Sequence, residues 1–214
     1  MPETSTTPLT KSELVNKVLE LEETVKVLKS KKYLESLWSF VRNVMKVEEG
    51  LGKVPLGDFH KELCEFVDNK GKQKKLALLP RGHLKSTIVT CGYSLMRIAQ
   101  NPAVRILIAN ATYDMACSFL NQIREHLISN TTFRELYGEL DKDAKKWSEN
   151  MITVKSETSY QSKECTVTAY GVGGNLVSQH YDVIIMDDIV NRDFVNTKEQ
   201  IQKTIDFYRD ALDL

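Results

Sequence analysis

The chain has 214 residues, of which 42% are hydrophobic and 27% charged, a composition that predicts a soluble globular protein with one sizeable α/β domain and an appendage. Its 29 basic and 29 acidic side chains balance, which argues against a static DNA-coating protein but is compatible with a motor that touches DNA through one local surface. The four cysteines lack metal-binding spacing and no apolar run reaches about 18 residues, so we expect free thiols, an intracellular location and no membrane contact.

Residues 1–50 are predicted to form an N-terminal extension, which begins with a polar, disordered tail over residues 1–10. A helix is predicted to follow, with a possible coiled-coil segment at residues 12–30 and a capping box made by Thr10 and Glu13. Its apolar residues recur at spacings of 4, 3, 4 and 3, at Leu14, Val18, Leu21, Val25 and Leu28. Two interpretations stay open: an amphipathic helix that lies on its own domain, or a helix that pairs with a partner or a second copy.

Further elements are predicted in chain order. Helices are expected at residues 33–47 and 58–69, before a wholly apolar strand at 76–80. The later predicted helices cover residues 86–100, 113–130, 131–138 and 197–214. The later predicted strands cover residues 104–112, 151–156, 164–172 and 181–190. Because apolar strands alternate with helices, residues 51–214 are predicted to form an α/β domain with a three-layer, mostly parallel sheet.

The stretch "LALLPRGHLKST" at residues 76–87 ends like a phosphate-binding loop. The usual pattern G-x-x-x-x-G-K-[ST] places its two glycines on Leu79 and Leu84, and the glycine that is present, Gly82, lies inside the loop. A strand followed by a helix N-terminus suits a phosphate anion, with Lys85 neutralising the β- and γ-phosphates and Ser86 binding Mg²⁺. Taken alone, the stretch also fits an ordinary loop between a strand and a helix.

A second motif, "YDVIIMDD", places Asp187 and Asp188 at the end of an apolar strand. In a P-loop ATPase such an acid completes the Mg²⁺ site, and the next residue orients or deprotonates the attacking water. Paired acids at this position also occur as helix caps or as the start of a loop. Both motifs in this order on one α/β domain predict an ATPase that uses ATP and Mg²⁺.

Three stretches, "PRGHLKST", "ILIANAT" and "GVGGNLVSQHYDVIIMDDIV", together resemble the ATPase domain of tailed-bacteriophage large terminase subunits over roughly residues 55–212. The resemblance implies a P-loop NTPase fold of the ASCE type and ATP hydrolysis that drives double-stranded DNA into a capsid. It also implies partners: a homo-oligomeric ring at the capsid portal and a small terminase subunit, in the host cytoplasm.

The resemblance also implies roles for single residues. Arg81 is expected to contact the γ-phosphate, and Asp187 to bind Mg²⁺ together with Ser86. Lys85 and Asp188 are expected to be catalytic with Arg81, Asp188 taking the place of the family's glutamate. His60 stands where many members carry an adenine-reading glutamine, and a histidine on the surface of its helix is the alternative interpretation. The predicted nucleotide cradle comprises Pro80, Arg81, Gly82, His83, Leu84, Lys85, Ser86 and Thr87.

The family's coupling strand and its nuclease domain are expected after Leu214, so the sequence is interpreted as an N-terminal ATPase fragment. Two other functions remain open. One is a helicase-like P-loop ATPase of another family, which shares the same motif logic. The other is a non-hydrolysing assembly module whose degenerate loop no longer binds ATP and whose N-terminal helix recruits a partner.

Overall fold

A computed structural model describes residues 10–47, 55–156, 163–174, 179–191 and 195–214. Most of the predicted tail, the predicted domain boundary after residue 50 and residues 175–178 of the glycine-led loop lie outside these ranges. The described helices are α1 (Lys11–Tyr33), α2 (Leu37–Phe40, continued by the π-helix Val41–Met45), α3 (Asp58–Asp68), α4 (Tyr93–Gln100, preceded by the π-helix Thr87–Gly92), α5 (Tyr113–Ser129), α6 (Thr131–Tyr137) and α7 (Lys198–Leu212). The described strands are β1 (Ile106–Asn110), β2 (Lys146–Trp147), β3 (Met151–Thr153), β4 (Val167–Gly171) and β5 (Val183–Met186).

The five strands form one mixed sheet in the order β2-β3-β4-β1-β5. β1 runs parallel to β4 and β5, whereas β3 runs antiparallel to β2 and β4. The predicted fold class, a P-loop NTPase with a mostly parallel sheet, is therefore wrong for this chain, because only two of the four described strand pairs are parallel. The alternating segments predicted at 151–156 and 164–172 contain β3 and β4, which pair antiparallel, and β2 adds a second antiparallel pair on the other side of β3.

The strand predicted at residues 76–80 is also wrong, because this segment is not assigned as a strand and pairs with none of the described strands. Leu76 and Leu78 project into solvent and are 77% and 83% exposed, while Ala77 and Leu79 pack against the core. The segment therefore buries one side of an extended chain and makes no hydrogen-bonded ladder with the described strands. A wholly apolar sequence predicts burial, but a strand also requires a neighbouring backbone to pair with.

β1 is buried along its whole length, and its alternate residues face two different clusters. Ile106 and Ile108 belong to the large core, which contains residues of α2 to α6. Leu107 packs on the other face of the sheet in a smaller cluster with Phe207 and Ala211 of α7. Because successive side chains of β1 point to opposite faces of the sheet, the sheet lies between the main group of helices on one face and α7 on the other.

The N-terminal helix is confirmed as α1, including the capping box, in which Thr10 Oγ1 accepts from the Glu13 amide and the Glu13 carboxylate accepts from the Thr10 amide. No residue of α1 is buried, and its C-terminal end is held by the Tyr137 hydroxyl, which donates to the Ser30 carbonyl. The second helix, predicted at 33–47, is confirmed from Leu37 to Met45 but begins four residues later than predicted, because α1 continues to Tyr33 and Ser36 is the N-cap of α2. None of the described helices has the length and apolar character needed to cross a membrane.

Candidate functional site

The loop at residues 80–87, here called the Lys85 loop, joins the extended segment 75–79 to a helix whose first residues are Lys85 and Ser86. The helix runs through the π-helix Thr87–Gly92 directly into α4. The Lys85 loop forms one wall of an open groove. The groove is lined by Leu79, Pro80, Arg81, Gly82, His83, Leu84, Lys85, Ser86, Thr87, Asp188, Val190, Asn191 and Val195.

The backbone of the Lys85 loop turns through two left-handed residues, Gly82 with φ +80° and Leu84 with φ +55°. Leu84 is the position where the phosphate-loop pattern has its second glycine, so the chain keeps the left-handed backbone without the residue that adopts it most easily. A left-handed conformation costs a non-glycine residue about 1–2 kcal/mol. The Leu84 side chain packs against the main core, which offsets part of this cost.

The first backbone hydrogen bond of the helix runs from the Ile88 amide to the Leu84 carbonyl at 2.9 Å. The amides of Lys85, Ser86 and Thr87 precede this bond and have no carbonyl one turn earlier in the helix. They point out of the helix N-terminus, where the helix dipole favours an anion. The Ser86 and Thr87 side chains line the same groove, so hydroxyls, amides and an ammonium group converge there.

Asp187 and Asp188 follow β5 and differ sharply in environment. Asp187 is only 5% exposed, and its amide donates to the Ala109 carbonyl in continuation of the β1–β5 ladder. Asp188 has φ +47°, and its side chain is 77% exposed at the edge of the groove. Aspartate tolerates the left-handed region better than most residues do, and this turn separates a buried carboxylate from an exposed one.

The Lys85 ammonium lies between the two carboxylates. Its Nζ atom is 2.8 Å from Asp187 Oδ1 and 3.0 Å from Asp188 Oδ1. Partial burial lowers the pKa of Lys85, but hydrogen bonds and charge from Asp187 and Asp188 outweigh it and hold the pKa above its ordinary value. Lys85 is therefore a fixed positive charge at neutral pH, placed where the Lys85 loop meets the end of β5.

Two further residues hold Asp187 in place, and the sequence did not single them out. The Thr90 hydroxyl donates to Asp187 Oδ2 at 3.1 Å, and the Asn110 side-chain amide donates to the Asp187 carbonyl at 2.6 Å. Thr90 lies one helical turn beyond Ser86, and Asn110 ends β1, the strand parallel to β5. The sequence did contain a signal for Asn110, because it is a polar residue at the end of a buried strand. The carboxyl ends of parallel strands lie at the same edge of a sheet, so such a residue lies near the end of β5.

Thr90 allows a test of how much this support contributes to stability. Thr90→Val keeps the shape but removes the donor to a buried carboxylate, so we expect the free energy of unfolding in urea to fall by about 2 kcal/mol. Thr204 provides a matched control, because its buried hydroxyl donates to a neutral carbonyl, that of Gln200. Thr204→Val should cost about 1 kcal/mol or less. Equal losses for the two variants would contradict a special role for Thr90.

The other predicted site residues lie around the groove. Arg81 is exposed, and His83 Nδ1 lies 2.9 Å from the Arg81 carbonyl. His60 is buried, its Nδ1 accepts from the Gly57 amide, and burial followed by the charge of His83 lowers its pKa. Phe59 stacks on His60 and contacts the His83 ring. The structure thus brings Arg81 and His83 to the groove and keeps His60 behind them, outside its lining.

Within the described ranges, no group of three or more His, Cys, Asp and Glu side chains could hold a metal ion by itself. Mg²⁺ in nucleotide sites usually takes one or two carboxylates and fills its remaining positions with water and phosphate oxygens. By chemical type the Ser86 hydroxyl and the Asp187 carboxylate suit such a partial ligand set, but only Ser86 lines the groove; Asp187 is 5% exposed and lines a neighbouring pocket with Lys85. A scan of the sequence against protein-family models finds no match, and neither does a search of curated proteins.

Gly82 provides a test of the loop conformation. A Cβ atom added at Gly82 or at Gly138, which has φ +87°, would meet no atom within 4 Å. Alanine at either position therefore acts through the backbone alone, and each variant should lose at least about 1 kcal/mol of stability in urea unfolding. The interpretation of this loop as a phosphate-binding loop predicts in addition that Gly82→Ala weakens binding of a fluorescent ATP analogue and that Gly138→Ala does not. Equal binding by both variants would contradict a role for the Gly82 turn.

Proposed function

We propose that the Lys85 loop and the pair Asp187–Asp188 bind the phosphates of ATP together with Mg²⁺, and that the chain hydrolyses ATP. The observation that supports this most directly is the position of Lys85 Nζ, within 3.0 Å of both carboxylates at the N-terminus of a helix. A cation, free helix amides and acids at the end of a neighbouring segment are the parts that phosphoryl-transfer sites combine.

In the proposed site, Lys85 turns from the carboxylates towards the β- and γ-phosphates, with which a compact ammonium forms charge-assisted hydrogen bonds. The amides of residues 85–87 donate to the same phosphates at the helix N-terminus. Ser86 and Asp187 are the residues that would hold Mg²⁺, which supplies charge neutralisation at the phosphate oxygens. Thr90 and Asn110 keep the Asp187 side chain and backbone in position while its partner Lys85 moves.

Asp188 is the residue of this site that suits the attacking water. Its carboxylate is exposed at the edge of the groove, where a water molecule has access to it. A carboxylate at that place orients the water and accepts its proton. Arg81, which is exposed on the same groove, supplies positive charge on the γ-phosphate side.

The biological setting follows from the resemblance to large terminase subunits and is part of the same proposal. The chain would act as the ATPase motor that moves double-stranded viral DNA into a capsid, as a ring at the portal and with a small terminase subunit. A helicase-like ATPase would share the same nucleotide site. Stimulation of ATP hydrolysis by double-stranded but not by single-stranded DNA would favour the packaging motor over the helicase.

The decisive experiment is a titration of the whole chain with a fluorescent ATP analogue, with and without Mg²⁺. We expect saturable binding that Mg²⁺ strengthens and that unlabelled ATP reverses. AMP should compete poorly, because it lacks the β- and γ-phosphates that the Lys85 loop would hold. A site that stays empty at millimolar Mg-ATP would overturn the proposal in favour of the assembly module.

A further inference from the structure

The five apolar residues predicted as a seam on α1 share one face and remain uncovered by the described part of the chain. All of them are among the exposed large hydrophobic residues. They are Leu14, Val18, Leu21, Val25 and Leu28. A charged helix face is well solvated, whereas exposing a continuous apolar stripe over 15 residues to water is energetically unfavourable. The structure therefore leaves the seam available to a second molecule.

The seam is also one wall of a groove. Val18, Leu21 and Val25 line it from α1, and Thr132 and Leu136 line it from α6. α1 approaches α6 at its C-terminal end, where Tyr137 binds the Ser30 carbonyl. The groove therefore lies between α1 and α6, with the seam on one side and Leu136 on the other, and Glu22 and Glu135 are among its charged residues.

We propose that α1 of a second copy of this chain occupies this groove and pairs with α1 as a parallel two-helix coiled coil. In heptad notation the seam has valine at both a positions, 18 and 25, and leucine at the d positions 14, 21 and 28. β-branched residues at a with leucine at d favour the parallel two-stranded form. This inference is independent of nucleotide binding.

The charges beside the seam select the parallel arrangement. In a parallel pair, each g residue lies beside the e residue five positions later in the partner helix. Lys17 occupies g and Glu22 occupies e, so the pair gains two Lys–Glu contacts related by the two-fold axis. An antiparallel pair instead brings e beside e and g beside g, so Lys17 would not lie beside Glu22 of the second copy. Charge complementarity therefore supports a second copy in the parallel direction.

The size of the seam predicts a weak, concentration-dependent dimer. About two heptads of apolar contacts are fewer than the three to four that mark an autonomous coiled coil. Sedimentation velocity of the whole chain from about 1 to about 100 µM should show a shift from monomer to dimer. A monomer over this whole range would overturn the proposal.

A pair of leucine variants separates the seam from general surface effects. Leu21 lies on the seam and Leu19 on the outer face, and their side chains are 57% and 58% exposed. Leu21→Asp should raise the dissociation constant of the dimer about 100-fold or more, because the dimer would bury an unpaired charge. Leu19→Asp should leave it within about threefold. Loss of the dimer in both variants, or in neither, would contradict pairing through the seam.

Exchanging the charges at residues 17 and 22 tests whether the two α1 helices run parallel. Lys17→Glu should weaken the dimer, because the new carboxylate would lie beside Glu22 of the second copy and repel it. The double variant Lys17→Glu with Glu22→Lys should restore the dimer with the two charges exchanged. Far-UV circular dichroism checks that α1 stays helical in each variant. Failure of the double variant to recover would contradict the parallel pairing.

A cysteine variant gives an independent measure of register. A parallel pair places residue 21 opposite itself, so Leu21→Cys should form an intermolecular disulfide under mild oxidation. The natural cysteines, Cys64, Cys91, Cys117 and Cys165, are all buried and give little background. Leu19→Cys is the matched control and should remain monomeric in a non-reducing gel. Equal cross-linking at both positions would overturn the proposed register.

Discussion

Lys85→Ala is expected to lower the affinity for a fluorescent ATP analogue about 100-fold or more. The variant loses the ammonium group that would contact the β- and γ-phosphates. It also leaves the Asp187 and Asp188 carboxylates, now 2.8 and 3.0 Å from that ammonium, without their partner. The exposed Asp188 carboxylate at the groove, no longer paired with a cation, adds repulsion of the phosphates to the lost attraction. The measurement is a fluorescence titration at constant Mg²⁺.

Two controls make the Lys85 result specific. Lys61 on α3 is an exposed lysine that pairs with Glu65, so Lys61→Ala removes a lysine in an ordinary surface ion pair. It should leave the affinity unchanged. Lys85→Ala should also lower the free energy of unfolding by about 1–3 kcal/mol, because the buried Asp187 loses its cationic partner. Urea unfolding of the variant shows whether it is folded under the conditions of the titration. Unchanged nucleotide affinity in the folded variant would contradict the proposed phosphate site.

Asp188→Asn is expected to leave the affinity for Mg-ATP within about threefold while lowering the rate of phosphate release about 100-fold or more. The amide fills the same space, but it cannot accept a proton from the attacking water. Because the Asp188 side chain is 77% exposed, the change should have little effect on the fold. Steady-state phosphate release by the unaltered chain is measured first, and its absence would contradict hydrolysis by this chain.

Asp143 offers a closely matched control for Asp188. It is also an exposed aspartate in the left-handed region, with φ +61°, and its carboxylate pairs with Lys155 at 3.1 Å. Asp143→Asn should therefore reproduce any effect of removing an exposed ion pair at a left-handed residue, without changing turnover. Full turnover in Asp188→Asn, or equal losses in the two variants, would contradict a catalytic role for Asp188.

The sequence predicted the local features of this fold well, because their causes lie within a few residues. Helix starts at Thr10, Thr112 and Thr197 follow from side chains that accept hydrogen bonds from amides three residues later. The start of the second helix was predicted at residue 33, four residues before it begins at Leu37, although Ser36 carries the same kind of cap signal. Leu34 continues the apolar spacing of Leu37 and Val41, so the pattern placed the start of the helix too early.

Predictions that depend on pairing between distant segments were less successful. The apolar run at 76–80 predicted a strand, yet Leu76 and Leu78 face solvent and the run has no partner in the described sheet. The direction of β3 relative to β4 likewise depends on how the intervening chain returns. Hydrophobic pattern specifies which residues avoid water, but strand pairing is decided by backbone groups far apart in the chain.

For the candidate site, the sequence by itself determined the chemistry: a lysine and two hydroxyls at a helix start, and two acids after a buried strand. It also placed a leucine where a left-handed turn usually takes glycine. Only the tertiary structure decided that Lys85 meets both Asp187 and Asp188, and that Thr90 and Asn110 support Asp187. The reason is physical: functional groups belong to single residues, whereas their distances, burial and pKa values arise from the folding of several elements around one point.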